Sequence, residues 1–113
     1  MRILLASSEV FPYSKSGGLA DMTGALAKFL AAAGHQVGVV TPLYRGIRER
    51  FREVFPFDWR LRLPLGGDLL SASVWVAQPV PRLTLYFIDQ PVFFRRDGLY
   101  DSAQGEYSDN AER

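Results

Sequence analysis

The sequence has no cysteine, a single histidine and no long run of apolar residues. Without cysteine the chain cannot form a disulfide framework, a thiolate metal site or a cysteine nucleophile, and the lone His35 rules out a histidine-rich metal site. The opening apolar run, residues 3–6, is too short for the core of a signal peptide, and no stretch approaches the roughly 20 apolar residues of a membrane span. We therefore expect a cytoplasmic protein with no membrane partner and no metal.

Neither sign of charge is in excess. Thirteen Lys and Arg residues stand against twelve Asp and Glu residues, and the basic residues are spread over several segments, so nucleic acid is not the expected partner. A hydrophobic share of 48% and a charged share of 22% are typical of a globular protein. At 113 residues, the chain has the usual size of one domain with one hydrophobic core.

The first forty residues carry the pattern of a strand, a helix and a second strand. Residues 2–7 contain a compact apolar run, which is typical of a strand buried on both faces of a parallel sheet. Residues 37–40 repeat this pattern and are followed by Thr41 and Pro42. Between the strands, Gly34 ends a helix whose apolar positions recur at helical spacing, namely Leu19, Met22, Leu26, Phe29, Leu30 and Ala33. This order predicts a right-handed βαβ unit.

Beyond Pro42 the pattern favours antiparallel strands. Residues 44–51 are rich in arginine and predict a short surface helix. Residues 57–63 alternate, with one side formed by Phe57, Trp59, Leu61 and Leu63. Turns at residues 65–68 and 79–82 separate two further strands, residues 70–76 and 83–88. The three strands predict an antiparallel meander, and the fold class is therefore α/β.

The end of the sequence predicts that this domain is incomplete. Residues 107–113 have the features of a helix start, with Ser108 or Asp109 as N-cap, and the sequence stops there. A βαβ unit plus a meander also leaves too few parallel strands to cover the first helix on an isolated sheet. We expect a C-terminal remainder beyond Arg113.

A loop of about eleven residues, residues 8–18, joins the first strand to the first helix, whereas such connections usually have about 2 to 6 residues. Gly17 and Gly18 permit unusual backbone conformations and let a ligand approach the main chain, and Lys15 adds a positive charge. The amides of the first helical turn lack helical partners and point toward such a ligand. These features predict an anion site at the carboxyl end of the first strand.

The residues alone leave a second interpretation open, in which the two glycines form a helix-entry turn and Lys15 is solvated. The order of residues excludes two better-known phosphate loops. In the P-loop the lysine follows the glycines, and the dinucleotide fingerprint requires G-x-G-x-x-G, whereas here the glycines fall at positions 17, 18 and 24. Neither a nucleotide triphosphatase nor a nicotinamide dehydrogenase is predicted.

Several ordered segments resemble glycosyltransferase family 5, the bacterial glycogen synthases and plant starch synthases. The most specific is Lys15-Ser16-Gly17-Gly18-Leu19-Ala20-Asp21 after the first strand. The other matching segments are, in order, Glu9-Val10-Phe11-Pro12, Gly24-Ala25-Leu26, Gly34-His35, Pro42-Leu43-Tyr44, Ile88-Asp89-Gln90-Pro91, Asp97-Gly98-Leu99-Tyr100 and Tyr107-Ser108-Asp109-Asn110-Ala111-Glu112-Arg113. The resemblance covers both ends of the chain around a variable middle. Two mild departures are Ala27, where the family commonly has proline, and Met22, where it has valine.

The resemblance implies a retaining transferase that moves glucose from ADP-glucose to the non-reducing end of an α-1,4-glucan without a cofactor. In that family two Rossmann-like domains face each other across a cleft, the GT-B arrangement, and this chain corresponds to an incomplete N-terminal domain. The family's catalytic-centre histidine, its basic donor-phosphate residues and its C-terminal-domain glutamate all lie beyond Arg113. We therefore expect no catalytic residue within this chain and no activity from the chain alone.

The resemblance also assigns donor contacts. Lys15 would lie by the phosphates, Gly17 and Gly18 would let the loop approach the glucosyl diphosphate, and Asp21 would hold the loop or meet the sugar. Tyr100 would lie near the nucleotide, where its ring can cover an adenine face. Structural alternatives stay open for two of these residues: Asp21 as a partner of the helix dipole, and Tyr100 as a packed aromatic.

Two other functions remain open. A non-catalytic glucan-binding module derived from such an enzyme would use Trp59 and Trp75 as stacking surfaces, and a transferase of the same architecture would use UDP-glucose. Structural roles are predicted for two further features. His35 is expected to bind the carbonyls at the end of the first helix. A solvated helix face is expected for Arg45, Arg48, Arg50 and Arg52.

Overall fold

In the computed structural model, which describes residues 1–65, 68–90, 101–102 and 105–106, a five-stranded mixed sheet forms the centre of the molecule. The elements are, in chain order, β1 (Arg2–Ala6), α1 (Gly18–Ala32), β2 (Gln36–Pro42), α2 (Ile47–Arg50), β3 (Phe55–Leu65), β4 (Asp68–Val80), β5 (Leu83–Asp89), β6 (Asp101–Ser102) and β7 (Gly105–Glu106). The last two pair as a separate ribbon. The predicted α/β fold is confirmed.

The sheet has the order β1-β2-β5-β4-β3. The pairs β1–β2 and β2–β5 are parallel, while β5–β4 and β4–β3 are antiparallel. The predicted meander of β3, β4 and β5 is therefore confirmed. Its last strand is also the third parallel strand, so the meander and the βαβ unit share one sheet, with Ile3, Val37 and Leu83 in register across it.

Helix α1 packs on the sheet through its small residues. The buried positions are Ala20, Thr23, Gly24, Ala27 and Ala31. The expected apolar stripe lies largely on the other side of the helix: the exposed side chains are Leu19, Met22, Leu26 and Phe29, the last at 70%. The sequence has two apolar stripes at helical spacing, and the narrower one faces the core because it lets the helix backbone approach the sheet and the preceding loop.

Carbonyl groups in the last turn of α1 accept hydrogen bonds from the backbone that follows the helix and from one arginine. Gly34 has a φ of 100°, its amide donates to the carbonyl of Ala31, and the His35 amide donates to that of Leu30. This is a Schellman motif, in which the left-handed position favours glycine. His35 thus meets a helix carbonyl through its backbone, and Arg82 donates from Nε to the Ala31 carbonyl at 3.0 Å. The predicted glycine stop is confirmed.

The hydrophobic core lies between the sheet and the helices α1 and α2. Its central side chains are Val37, Val39, Leu43, Ile47, Leu85 and Phe87. Helix α2 is one turn long, shorter than the predicted residues 44–51, because Tyr44 is buried and Gly46 sits before the helix with a φ of 89°. None of the described helices is long and apolar enough to cross a membrane.

The opposite face of the sheet is open near β1. Leu4 is 68% exposed there, and a groove of about 480 Å³ runs over Gly38, Thr84 and Tyr86. β1 is also one of the two edge strands of the sheet as described, the other being β3. The helix start predicted at residues 107–113 lies outside the described residues.

Candidate functional site

The loop between Ala6 and Gly18 folds back over the first turn of α1. The Phe11 amide donates to the carbonyl of Ala20 at 3.1 Å. Within the loop, the Ser14 hydroxyl accepts from the Val10 amide at 3.1 Å and the Ser14 amide donates back to the Val10 carbonyl at 2.9 Å. These bonds fix the shape of the part of the loop that precedes Lys15.

The loop crosses α1 at Gly24. A Cβ at this position would lie 2.9 Å from the Phe11 carbonyl oxygen, closer than real side chains come to backbone. The glycine in the middle of α1 is therefore explained by a close backbone approach.

We predict that Gly24→Ala destabilises the protein, although alanine is the better helix former. The added methyl must displace the Phe11 backbone, and overpacking of this kind costs about 1 to 3 kcal/mol. Urea unfolding of the purified protein measures the change. Ala25→Gly, on the exposed side of the same helix, measures the difference in helix propensity between alanine and glycine alone. Unchanged or increased stability of Gly24→Ala would show that the loop does not pack on the helix at this point.

Glu9 sits under the loop and is buried, with 1% of its surface exposed. Its Oε2 accepts from the Ser16 hydroxyl at 2.7 Å, and its Oε1 accepts from the backbone amides of Gly17 at 3.2 Å and Ala20 at 3.1 Å. Gly17 precedes α1 and has no side chain to cap it, so Glu9 provides the cap from eight residues upstream. A carboxylate at this end of a helix also meets the positive end of the dipole.

This contact corrects the prediction that all amides of the first turn face a ligand. Two of them, at Gly17 and Ala20, bind the Glu9 carboxylate instead. The amides of Gly18 and Leu19 have no acceptor within the described part of the chain. Two helix-start donors therefore remain for an anion, next to Lys15.

The two glycines are not required by backbone strain. Gly17 has a φ of −167°, an extended conformation open to any residue, and Gly18 begins the helix. The prediction that they adopt conformations closed to other residues is therefore wrong. A Cβ at either position would meet no heavy atom of the described chain within 4 Å. What the glycines provide is empty space against the main chain.

Lys15 stands at the edge of this space and binds Asp21. The Lys15 Nζ lies 2.8 Å from the Asp21 carboxylate, and both side chains are about half exposed, at 47% and 52%. The ammonium group also lies 5.5 Å from the centre of the Phe11 ring. Asp21 therefore holds Lys15 across the helix start. An exposed pair of this kind contributes about 0 to 1 kcal/mol, so a stronger anion can compete for the lysine.

The structure thus brings four of the five predicted site residues together: Lys15, Gly17, Gly18 and Asp21. Tyr100 lies outside the described residues. Sequence reasoning missed Glu9 as part of this cluster. The available signal was an acidic residue directly after a buried strand, upstream of a helix whose N-cap is a glycine.

Tyr13, a buried residue of the loop, connects the site to the core. Its ring packs edge-on against Phe87 at 5.2 Å, and its hydroxyl donates to Glu53 at 3.3 Å. Burial, together with the nearby Glu53 carboxylate, raises the pKa of Tyr13 to about 12. The hydroxyl therefore stays protonated and remains a donor at physiological pH. Arg50 adds a bond from Nη2 to the Tyr13 carbonyl at 3.4 Å.

Trp75 does not form a free stacking surface. Its side chain packs against the hydrophobic core and the Arg48 guanidinium lies 4.8 Å from its ring centre. Arg48 and Arg50 both have protein partners, so the predicted solvated face is only partly correct. The side chain of Trp59 lies outside the described residues.

Comparison with known proteins places these features in a family. Residues 2–113 match the family model of the starch synthase catalytic domain. The chain belongs to this family. Two curated relatives are glycogen synthases. The one from Syntrophotalea carbinolica is 42% identical to this chain over 115 residues, and the one from Myxococcus xanthus is 43% identical over 115 residues. Both alignments cover the whole chain, but only 23% and 24% of those relatives.

A solved structure supports the same assignment. The catalytic domain of starch synthase IV from Arabidopsis thaliana, bound to ADP and acarbose, superposes with a TM-score of 0.72 at 28% identity. The match covers 91% of this chain and 21% of that one. The chain therefore corresponds to about a quarter of the length of its relatives, and its mixed sheet with a βαβ unit is part of a GT-B catalytic domain.

Proposed function

We propose that this chain is the N-terminal part of a retaining glucosyltransferase that transfers glucose from ADP-glucose to the non-reducing end of an α-1,4-glucan. The observation that carries the proposal is the empty space in front of Gly17 and Gly18. Neither glycine is required by backbone strain or by packing, yet both lie at a helix start beside a lysine. A ligand that approaches the main chain explains them.

The donors around this space suit a diphosphate. The amides of Gly18 and Leu19 and the Lys15 ammonium present positive charge and N–H groups to one region, and phosphate oxygens are strong acceptors for both. The Arabidopsis relative was solved with ADP, which supports a nucleoside diphosphate sugar as donor. We place the remaining active-site groups in polypeptide outside these 113 residues and expect the chain alone to transfer no glucose.

The test is a chimera in which this chain replaces the matched segment of the Syntrophotalea carbinolica glycogen synthase. We expect the purified chimera to incorporate labelled glucose from ADP-glucose into glycogen, and the isolated chain to incorporate none. Digestion of the product by an α-1,4-specific amylase tests the linkage and the retained configuration. Competition with unlabelled UDP-glucose tests the choice of donor.

Three results would contradict the proposal in different parts. A folded chimera without transfer activity would overturn the enzymatic role. Binding of glucan without any binding of ADP-glucose would favour a glucan-binding module. Equal use of UDP-glucose would overturn the donor assignment alone.

A further inference from the structure

Glu9 is a buried carboxylate at the site, and it contacts the loop from beneath. Among the described contacts, its two oxygens accept from the Ser16 hydroxyl and from the amides of Gly17 and Ala20. These donors bracket Gly18 and Leu19, whose amides have no acceptor among the residues that the structure describes. Glu9 is buried behind the loop while the glycines are exposed in front of it, so the carboxylate and a bound anion would lie on opposite sides of the same backbone segment.

We propose that Glu9 is a positioning residue for the sugar-nucleotide donor: it fixes the segment from Ser16 to Ala20 so that the Gly18 and Leu19 amides are oriented before the donor arrives. This inference rests on the proposed function. Glu9 does not touch the donor, and it acts by holding the groups that do.

The chemistry of a carboxylate is required for this role. An ionised carboxylate is purely an acceptor and can satisfy three donors at once. A glutamine side chain has the same shape but is neutral: its oxygen can accept from the Gly17 and Ala20 amides while its NH₂ group donates to the Ser16 hydroxyl. Glu9→Gln therefore keeps the partners but removes the negative charge, and hydrogen bonds to a neutral acceptor hold the two amides less strongly.

A second reason for a carboxylate is electrostatic. The helix start is positive, and an exposed glycine loop without an internal anion would bind any small anion from solution. Because Glu9 binds two of the amides, the described part of the chain offers two helix amides and Lys15 to the ligand. Selectivity for a ligand that spans both the amides and Lys15 follows from this arrangement.

The experiment compares Glu9→Gln, Glu9→Asp and Ser16→Ala in the chimera. We expect Glu9→Gln to lower kcat/KM for ADP-glucose about 20-fold, because the two donating amides lose a charged acceptor. The KM for glycogen is expected to change by less than about 2-fold, because Glu9 holds groups that the proposed function assigns to the donor. Glu9→Asp keeps the charge and should recover part of the donor affinity.

Ser16→Ala keeps the proposal testable if Glu9→Gln folds poorly. Ser16 is exposed, so loss of its hydroxyl leaves no buried cavity. We expect a loss of about 3-fold in kcat/KM for the donor, and a Glu9→Gln/Ser16→Ala double variant no worse than Glu9→Gln, because the two act as one unit. Hydrogen exchange should quicken at Gly17 and Ala20 in Glu9→Gln while β2 and β5 stay protected.

Ser14→Ala is the matched control. Its hydroxyl is also buried in this loop and also binds a backbone amide, that of Val10, but it does not reach the segment from Ser16 to Ala20. It should lower stability as much as Glu9→Gln does and change donor kinetics by less than about 3-fold.

Normal donor kinetics in Glu9→Gln would overturn the inference. So would an equal rise in the KM values for donor and glycogen, or donor kinetics in Ser14→Ala that match those of Glu9→Gln, since each would mean a purely structural role. Failure of the unmutated chimera to use ADP-glucose would instead overturn the proposed function, and the hydrogen-exchange result would still report on the loop.

Discussion

Replacing Lys15 with alanine is expected to lower kcat/KM for ADP-glucose about 100-fold in the chimera, while the free energy of unfolding stays nearly constant. A charge-assisted hydrogen bond to phosphate contributes about 1.5 to 3 kcal/mol, and each 1.4 kcal/mol corresponds to a factor of ten. The Lys15–Asp21 pair is half exposed, so its loss should change stability by less than about 1 kcal/mol. Steady-state kinetics and urea unfolding measure the two effects separately.

Lys28→Ala is the control for this result, because Lys28 is an exposed lysine on the same helix, away from the loop. It should leave donor kinetics unchanged. Lys15→Arg should restore part of the activity, since the charge is kept but the geometry of the donors differs. If Lys15→Ala keeps normal kinetics, the lysine is only a solvated side chain at a helix entry, which is the alternative that the sequence left open.

Substitutions at Gly18 should produce a size-dependent loss. We expect kcat/KM for ADP-glucose to fall about 10-fold for Gly18→Ala and about 100-fold for Gly18→Val, because a side chain that overlaps a bound group costs about 1 to 3 kcal/mol. The same substitutions should not destabilise the protein, because a Cβ at Gly18 meets no described atom within 4 Å and the position begins a helix. Donor KM and thermal unfolding are the measurements.

Ala25→Val provides the matched change at an exposed position of α1, about two helical turns beyond Gly18, and should leave the donor KM unaltered. Active Gly18→Val would mean that the space in front of the loop stays empty during the reaction. A loss of stability equal to the loss of activity would mean that Gly18 is needed by the fold. Either outcome would contradict the interpretation of this space as room for the donor, on which the proposed function rests.

The order of elements was predictable because hydrophobic periodicity and turn residues are local signals. The strand before the loop, the helix ended by Gly34 and the meander of β3, β4 and β5 all follow from them. The buried face of α1 was not predictable in this way. Two apolar stripes compete on that helix, and the choice depends on how closely the Phe11 backbone crosses Gly24, a tertiary contact.

The site shows the same division between local and distant information. Lys15, Gly17, Gly18 and Asp21 are near neighbours in sequence, and one loop and one helical turn bring them together. Glu9 reaches residues seven to eleven positions ahead only because the connection folds back on itself. The role of the glycines likewise needed the structure, because only the observed φ of Gly17 and the empty space around both glycines distinguish room for a ligand from backbone strain.

The edge position of β1 bears on where a second set of site residues can come from. α1 lies on one face of the sheet and carries the chain from β1 to its neighbour β2. A parallel strand added at the free edge would send its own crossover helix to the opposite face, over Leu4 and the groove beside it. β1 would then be the topological switch point of the sheet, and the crevice between two diverging loops would open directly beside Lys15.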